Sequence, residues 1–334
     1  MPAPISLVER SPQASAEQIV ASLRPPRQFD GATFESYRPD PDHPSQREAL
    51  ERMQGVVDAW VSPKRRLFKK APETKPGIYL DGGFGVGKTH LLASLWKAMP
   101  GPKYFGTFIE YTALVGALGY AETVRALQGA RIVCIDEFEL DDPGDTMVMT
   151  RLLGELAAGG TKLAATSNTP PNALGEGRFA AADFLREIQA IADRFDILRI
   201  DGDDYRHRDV SGHAPVLSDD EMDAELARFD GTVALDDFDA LIGHLSNVHP
   251  SRYIGLVDGV RALGIRDVRT LQDQNDALRL VALVDRLYDQ QVALRGSGTS
   301  LDRVFGDDML GGGYRKKYLR AISRLMALAG EQPA

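Results

Sequence analysis

Five residues carry the chemistry this sequence offers: Lys88 and Thr89 behind a run of glycines, Asp136 and Glu137 closing an apolar run, and Asn168 closing another. In "YLDGGFGVGKTHLLASL", Gly82, four intervening residues, then Gly87, Lys88 and Thr89 satisfy the phosphate-loop pattern G-x-x-x-x-G-K-[ST]. Glycine lets the backbone curl until successive N–H groups point inward at phosphate oxygens. Gly82, Gly83, Phe84, Gly85, Val86 and Gly87 are therefore candidate cradle residues, and a helix starting at Lys88 adds the positive end of its dipole. Lys88 is expected to reach the β- and γ-phosphates of a nucleotide, and Thr89 to give its hydroxyl to a magnesium ion. His90, directly after them, reads as packing near the nucleotide. A dinucleotide fingerprint is the poorer reading, because it does not call for the Lys-Thr pair.

"RIVCIDEF" supplies a second element of the same chemistry. Its apolar residues end in two carboxylates, 48 residues after Lys88, which leaves room for a helix, a strand and a helix between them. Asp136 is expected in the shell of the metal, and Glu137 to orient and polarise an attacking water. An acid pair of this kind favours hydrolysis over phosphoryl transfer to a metabolite. "TKLAATSN" then places the amide of Asn168 after an apolar strand, where it would position the water or contact the γ-phosphate.

These residues need a parallel sheet to bring them together. The pattern from Gly77 onward alternates strand and helix: "GIYL", "KYFGTFIEYTAL", "RIVCIDEF", "TKLAATSN" and "FDILRID" read as strands, with helical segments between them. Such alternation predicts helices on both faces of a parallel sheet. Ahead of it, residues 1–43 read as an extended N-terminal arm. A helix from about Gln46 follows, with Leu50, Met53, Val57 and Trp60 on one face. "SPKRRLFKKAPETKP" reads as a basic connection, either solvated or in contact with an acidic partner. A change of composition near residue 211 divides a core at 44–210 from a C-terminal region at 211–334, where "DALRLVALVDRLYDQQV" is an amphipathic helix and "VALRGSG" a candidate strand.

Composition narrows the class further. The chain has 334 residues, 43% of them hydrophobic and 26% charged, enough for one large α/β domain and a smaller one. A formal net charge of −9 argues against a protein that lives on bulk nucleic acid. The single cysteine, Cys134, excludes an intramolecular disulfide and a cysteine-based zinc site. With neither a signal-like N-terminus nor a long apolar run, a cytoplasmic protein without a membrane span is expected.

The ordered set "YRPDPDHPSQ", "GGFGVGKTH", "CIDEFELDDPGD", "ATSNTPPNAL", "DGDDYRHR", "LVDRLYDQQV" and "RAISRL" resembles the ZapE-type family of AAA+-related ATPases, bacterial cell-division proteins and their mitochondrial relatives. The resemblance runs from about residue 34 to 326. It implies an α/β P-loop NTPase fold of the AAA+/RecA-like kind, with a smaller mixed or mainly helical C-terminal region. By it, Lys88 and Thr89 belong to Walker A, Asp136 and Glu137 to Walker B and Asn168 to sensor 1, while Gln46 lies where such proteins cradle the adenine. ATP and Mg2+ are the implied ligands, a protein partner such as FtsZ the implied target, and a homo-oligomer the implied assembly.

Two departures from the family pattern bear on catalysis. If Phe184 matches the family's phenylalanine, Ala181 stands at the arginine-finger position and Arg178 is the nearest substitute. In "LRAISRL", Ala321 replaces the usual threonine, while Arg320 and Arg324 remain and share a helical face, one of them placed to serve as sensor 2 or both as a basic solvated surface. The leading expectation is Mg-dependent ATP hydrolysis coupled to remodelling or regulating a protein partner. The competing ones are an ATP-gated binding switch with slow hydrolysis and a DNA-acting, helicase-loader-like ATPase.

Overall fold

A computed structural model describes residues 3–12, 16–61, 75–83, 85–140, 143–170, 174, 185–202 and 213–333. The chain divides into a larger unit, Ser15–Pro25 with Phe29–Tyr205, and a smaller one, Met1–Ala14 with Pro26–Gln28 and Arg206–Ala334. Residues 1–43, read from sequence as one extended arm, are thus shared between the two.

In the larger unit the order is α1 (Ala16–Ala21), α2 (Pro44–Val61), β1 (Gly77–Gly82), α3 (Lys88–Ala98), β2 (Lys103–Thr107), α4 (Phe108–Leu118), α5 (Tyr120–Leu127), β3 (Ile132–Asp136), α6 (Pro143–Ala158), β4 (Lys162–Ser167), α7 (Leu185–Ala192) and β5 (Phe195–Ile200). The five strands form one parallel sheet in the order β2-β3-β4-β1-β5. Both faces are covered, so β1 and β3 are buried throughout, as strands of a parallel sheet must be when helices close both sides. Alternate residues feed two cores. Ile78, Leu80, Cys134 and Ala164 pack with Leu91, Leu92 and Leu95 of α3 and with Met53 of α2. Tyr79, Val133, Ile135 and Leu163 pack with α4, α5 and α6.

The segment "KYFGTFIEYTAL" is strand only as far as Thr107. There Thr107 and Glu110 form a capping box, the Glu110 carboxylate accepting from Thr107 N at 2.6 Å while Thr107 Oγ1 accepts from Glu110 N at 3.3 Å. Satisfying both ends of the first turn starts α4 at once, and Phe108, Tyr111 and Leu114 then fall on its buried face.

The smaller unit contains α8 (Asp219–Leu226), β6 (Thr232–Asp237), α9 (Phe238–Asn247), α10 (Tyr253–Leu256), β7 (Val260–Val268), α11 (Gln274–Asp289), β8 (Ala293–Gly298), α12 (Asp307–Gly311) and α13 (Arg315–Gly330). Strands β6, β7 and β8 form a second parallel sheet in that order, so of the two expectations for this region the mixed one holds. Ile5 bridges to Ala234 beside β6, and the Asp236 carboxylate takes hydrogen bonds from Ser6 Oγ at 2.5 Å and Leu7 N at 2.9 Å. Leu7 is thereby buried in the core formed by α9, α11 and α13. No helix among the described residues is long and apolar enough to cross a membrane.

Candidate functional site

The site lies where the C-terminal ends of β1, β3 and β4 meet. In a parallel sheet all strand ends point the same way, and order β3-β4-β1 sets the Asp136, Asn168 and glycine-loop segments side by side. The register pairs Asp81 with Ser167 and Ile135 with Ala165. Residues just beyond these pairs converge.

Gly87 is the N-cap of α3 with φ 85°, a left-handed conformation natural to glycine. A Cβ at this position would lie 2.5 Å from Tyr37 Cε2. Tyr37 seats its ring there and donates its hydroxyl to Val86 O at 2.9 Å. His90 packs against the same ring at a centroid distance of 5.6 Å, and its Nε2 lies 3.0 Å from both Ser36 Oγ and Thr33 O. The segment ahead of α2 therefore braces the outer side of the phosphate loop. Gly82 is equally constrained, since a Cβ would stand 2.1 Å from the carbonyl oxygen of Ile200.

Lys88 is buried, and its Nζ donates to Gly82 O at 2.9 Å, to Gly83 O and to Asn168 Oδ1 at 2.8 Å. Thr89 Oγ1 lies 3.2 and 3.1 Å from the two oxygens of Asp136. Thr166, a residue the motif reading passed over, donates its hydroxyl to Asp136 and accepts from Glu137 N at 3.2 Å. Its signal was its place between an apolar strand and the polar Asn168. Burial first, and the neighbouring charge of Glu137 second, push the Asp136 carboxyl up to about 6, against the hydrogen bonds of Thr166 and Thr89 and the charge of Lys88. A buried carboxylate beside a hydroxyl, still short of compensating charge, is the donor set that suits Mg2+, which takes one or two carboxylates and fills its shell with phosphate oxygens and water.

Glu137 is half-buried and has φ 53°, the left-handed region that non-glycine residues rarely occupy. It leaves β3 there, and Phe138 N re-pairs with Thr166 O at 2.7 Å.

Gln46 is buried at the start of α2. Its Oε1 accepts from Asp40 N at 2.9 Å and its Nε2 donates to Asp201 O at 3.0 Å. The side chain ties the preceding segment to the end of β5, so any contact with a base would use its second Nε2 hydrogen or the second lone pair of Oε1. Phe84 and Arg178 lie outside the described residues, as do Ala181 and Phe184. Arg320 and Arg324 belong to the smaller unit, where both donate to the carboxylate of Asp285 on α11, Arg320 at 2.8 Å.

A phosphate loop after β1, an acid pair closing β3 and a polar amide just past β4, the central strand that lies between them, define a P-loop NTPase of the AAA+ kind. Residues 13–232 and 218–332 match the model of the AFG1-like ATPase family, and the chain belongs to that family. It is similar to cell division protein ZapE of Escherichia coli (strain K12), at 27% identity over 374 residues covering 93% of this chain and 97% of that protein. It is also similar to Lactation elevated protein 1 homolog B of Danio rerio, at 26% identity over 300 residues, 72% of this chain and 59% of that one. Among solved structures, AMPPCP-bound DnaA from Aquifex aeolicus is 12% identical with a TM-score of 0.40, covering 90% of each chain, a likeness too weak to carry an argument.

Proposed function

We propose that this chain hydrolyses ATP with the help of Mg2+ and couples the reaction to remodelling or regulating a protein partner. The observation that carries this reading is the convergence of Lys88, Thr89, Asp136, Glu137 and Asn168 at one end of one sheet. Lys88 would exchange its carbonyl partners for phosphate oxygens and balance their charge. Thr89 and Asp136 would hold Mg2+, which supplies charge neutralisation when bound. Glu137 would take the proton of the attacking water, and Asn168 would orient that water from the neighbouring strand.

The partner reading draws on the family. ZapE is by name a cell division protein, and its similarity spans nearly the whole chain. A division-machinery target, FtsZ among them, is therefore the partner to test first, with the cytoplasm as its compartment. A finger supplied by a second copy is part of the same reading, with Arg178 its candidate.

Glu137→Gln tests the core of the proposal. It should leave nucleotide binding intact and lower turnover by about 10² to 10⁴-fold, the usual worth of a positioned base. Turnover at the level of the unmodified protein would remove Glu137 from the reaction. Specific activity that rises with protein concentration, followed by sedimentation on the same samples, would support an arginine acting in trans.

A further inference from the structure

We propose that Glu139 is a positioning residue for ATP hydrolysis, bracketing Asn168 through hydrogen bonds to the residues on either side of it. The proposal rests on the reading of Asn168 as the amide that orients water. Phe138 is fully buried, with its ring 6.2 Å from that of Tyr79 and 5.2 Å from that of Phe108. Its amide is held on Thr166 O. This turn sends Glu139 back across the end of β4, and there its carboxylate spans two hydroxyls. Oε1 accepts from Ser167 Oγ at 3.0 Å and Oε2 accepts from Thr169 Oγ1 at 3.3 Å.

The flanking residues are fixed at more than their hydroxyls. Ser167 Oγ also accepts from Thr169 N at 3.0 Å, and Thr169 O accepts from Tyr79 OH at 2.8 Å. Residue 169 is thus held at its amide, its carbonyl and its side chain, by groups from the end of β4, from β1 and from the segment that follows β3. Asn168 sits between the two anchored residues and directs its own side chain to Lys88. A carboxylate is suited to this task because both of its oxygens accept, and bonds to an ionised acceptor are about twice as strong as neutral ones. Glu139 stands three residues after Asp136 and two after Glu137. It thereby links the segment that carries the acid pair to the segment that carries the amide.

The deciding experiment is a double-mutant cycle on the full chain, with kcat, KM and the dissociation constant of a fluorescent ATP analogue measured for E139A, N168A and the pair. E139A should lower kcat by about 10- to 100-fold, the scale of a misplacement near 1 Å, with nucleotide affinity moved less than about threefold. In the N168A background the same substitution should change kcat by less than about twofold, because residues acting through one another are not additive. Equal losses in both backgrounds, or a kcat of E139A equal to the unmodified rate, would overturn the role of Glu139. An unmodified rate in N168A would instead remove Asn168, and this proposal with it. Should E139A fail to fold, S167A reads the same bracket with Glu139 in place, and an unmodified kcat there overturns the proposal.

Discussion

Asn168 Oδ1 accepts a hydrogen bond from Lys88 Nζ at 2.8 Å, joining the end of β4 to the first residue of α3. The same ammonium donates to the carbonyls of Gly82 and Gly83. An ammonium has three donors, so a phosphate entering the loop must displace neutral acceptors that are already in place. Asn168 is the one acceptor of the three that a substitution can remove without touching the loop. N168A should therefore leave nucleotide affinity within about threefold while lowering kcat by about 10²-fold, the scale of losing one preorganised polar group. Nucleotide titration beside steady-state hydrolysis checks this, and a parallel loss of affinity and rate would contradict it.

Gly87 and Tyr37 give a second test. A methyl group at position 87 meets the tyrosine ring at 2.5 Å while the backbone stays at φ 85°. The left-handed conformation alone costs a non-glycine residue about 1–2 kcal/mol, and the ring must move as well. G87A should lower the thermal midpoint and weaken ATP binding by at least about 10-fold, since every 1.4 kcal/mol of distortion carried into the site is a factor of ten. If the clash with the ring contributes, Y37A in the G87A background should recover part of the midpoint, whereas Y37A alone should lower it. Strictly additive effects would show that backbone strain is the whole cost.

Much of this site is legible in the sequence because the chemistry confines it to short strings. The glycines, Lys88 and Thr89 need one loop, and Asp136 and Asn168 need only the ends of buried strands. What the strings do not contain is cross-strand contact. Glu139 reads as one more acidic residue in "CIDEFELDD" until the turn at Phe138 brings it over Ser167. The start of α4 was hidden for a related reason: "YFGTFIEY" is rich in strand-forming residues, and only the reciprocal Thr107–Glu110 cap decides for helix. In the smaller unit β7 escaped notice because Arg261, Gly264, Arg266 and Asp267 interrupt its apolar run. Gly264 is needed there, since a Cβ would lie 2.6 Å from Leu226 Cδ1 and 2.8 Å from Leu235 Cδ1.

Asp285 is the electrostatic centre of the smaller unit. Burial by itself would raise its pKa, but the charges of Arg320, Arg324 and Arg286 outweigh that and hold the carboxyl below its usual value. A carboxyl lowered on folding adds stability that is present above its unfolded pKa, about 3.9, and is lost as pH falls through the lower folded value. The contribution of Asp285 should therefore be constant at neutral pH and disappear only under strongly acidic conditions. D285A leaves two arginines at 9% and 12% side-chain exposure without their shared counter-charge. The expected loss is about 3–5 kcal/mol at neutral pH, as for other buried pairs broken on one side. Denaturant unfolding of the smaller unit's transition at pH 7 measures it, and a loss under about 1 kcal/mol would show the pair to be solvated.

Asp136 should behave in the opposite sense. Its carboxyl is raised to about 6, by burial first and by Glu137 next, against about 3.9 in the unfolded chain. The folded state therefore keeps a proton that the unfolded state releases, and stability falls as pH rises from about 4 to about 6. Above that window the charged carboxylate carries its full penalty, about 2–3 kcal/mol for a shift of this size. Without nucleotide or divalent cation, D136N should have a flatter stability profile across pH 4 to 6 and a higher thermal midpoint at pH 7 than the unmodified protein. Addition of ATP and Mg2+ should reverse the order, because only the carboxylate gains from the cation and a ligand bound to the folded state stabilises by mass action. Thermal scans at pH 5, 6 and 7, with and without ATP and Mg2+, decide the matter. A D136N protein less stable than the unmodified one at pH 7 in the absence of both would mean that its hydrogen bonds to Thr89 and Thr166 outweigh the cost of burying the charge.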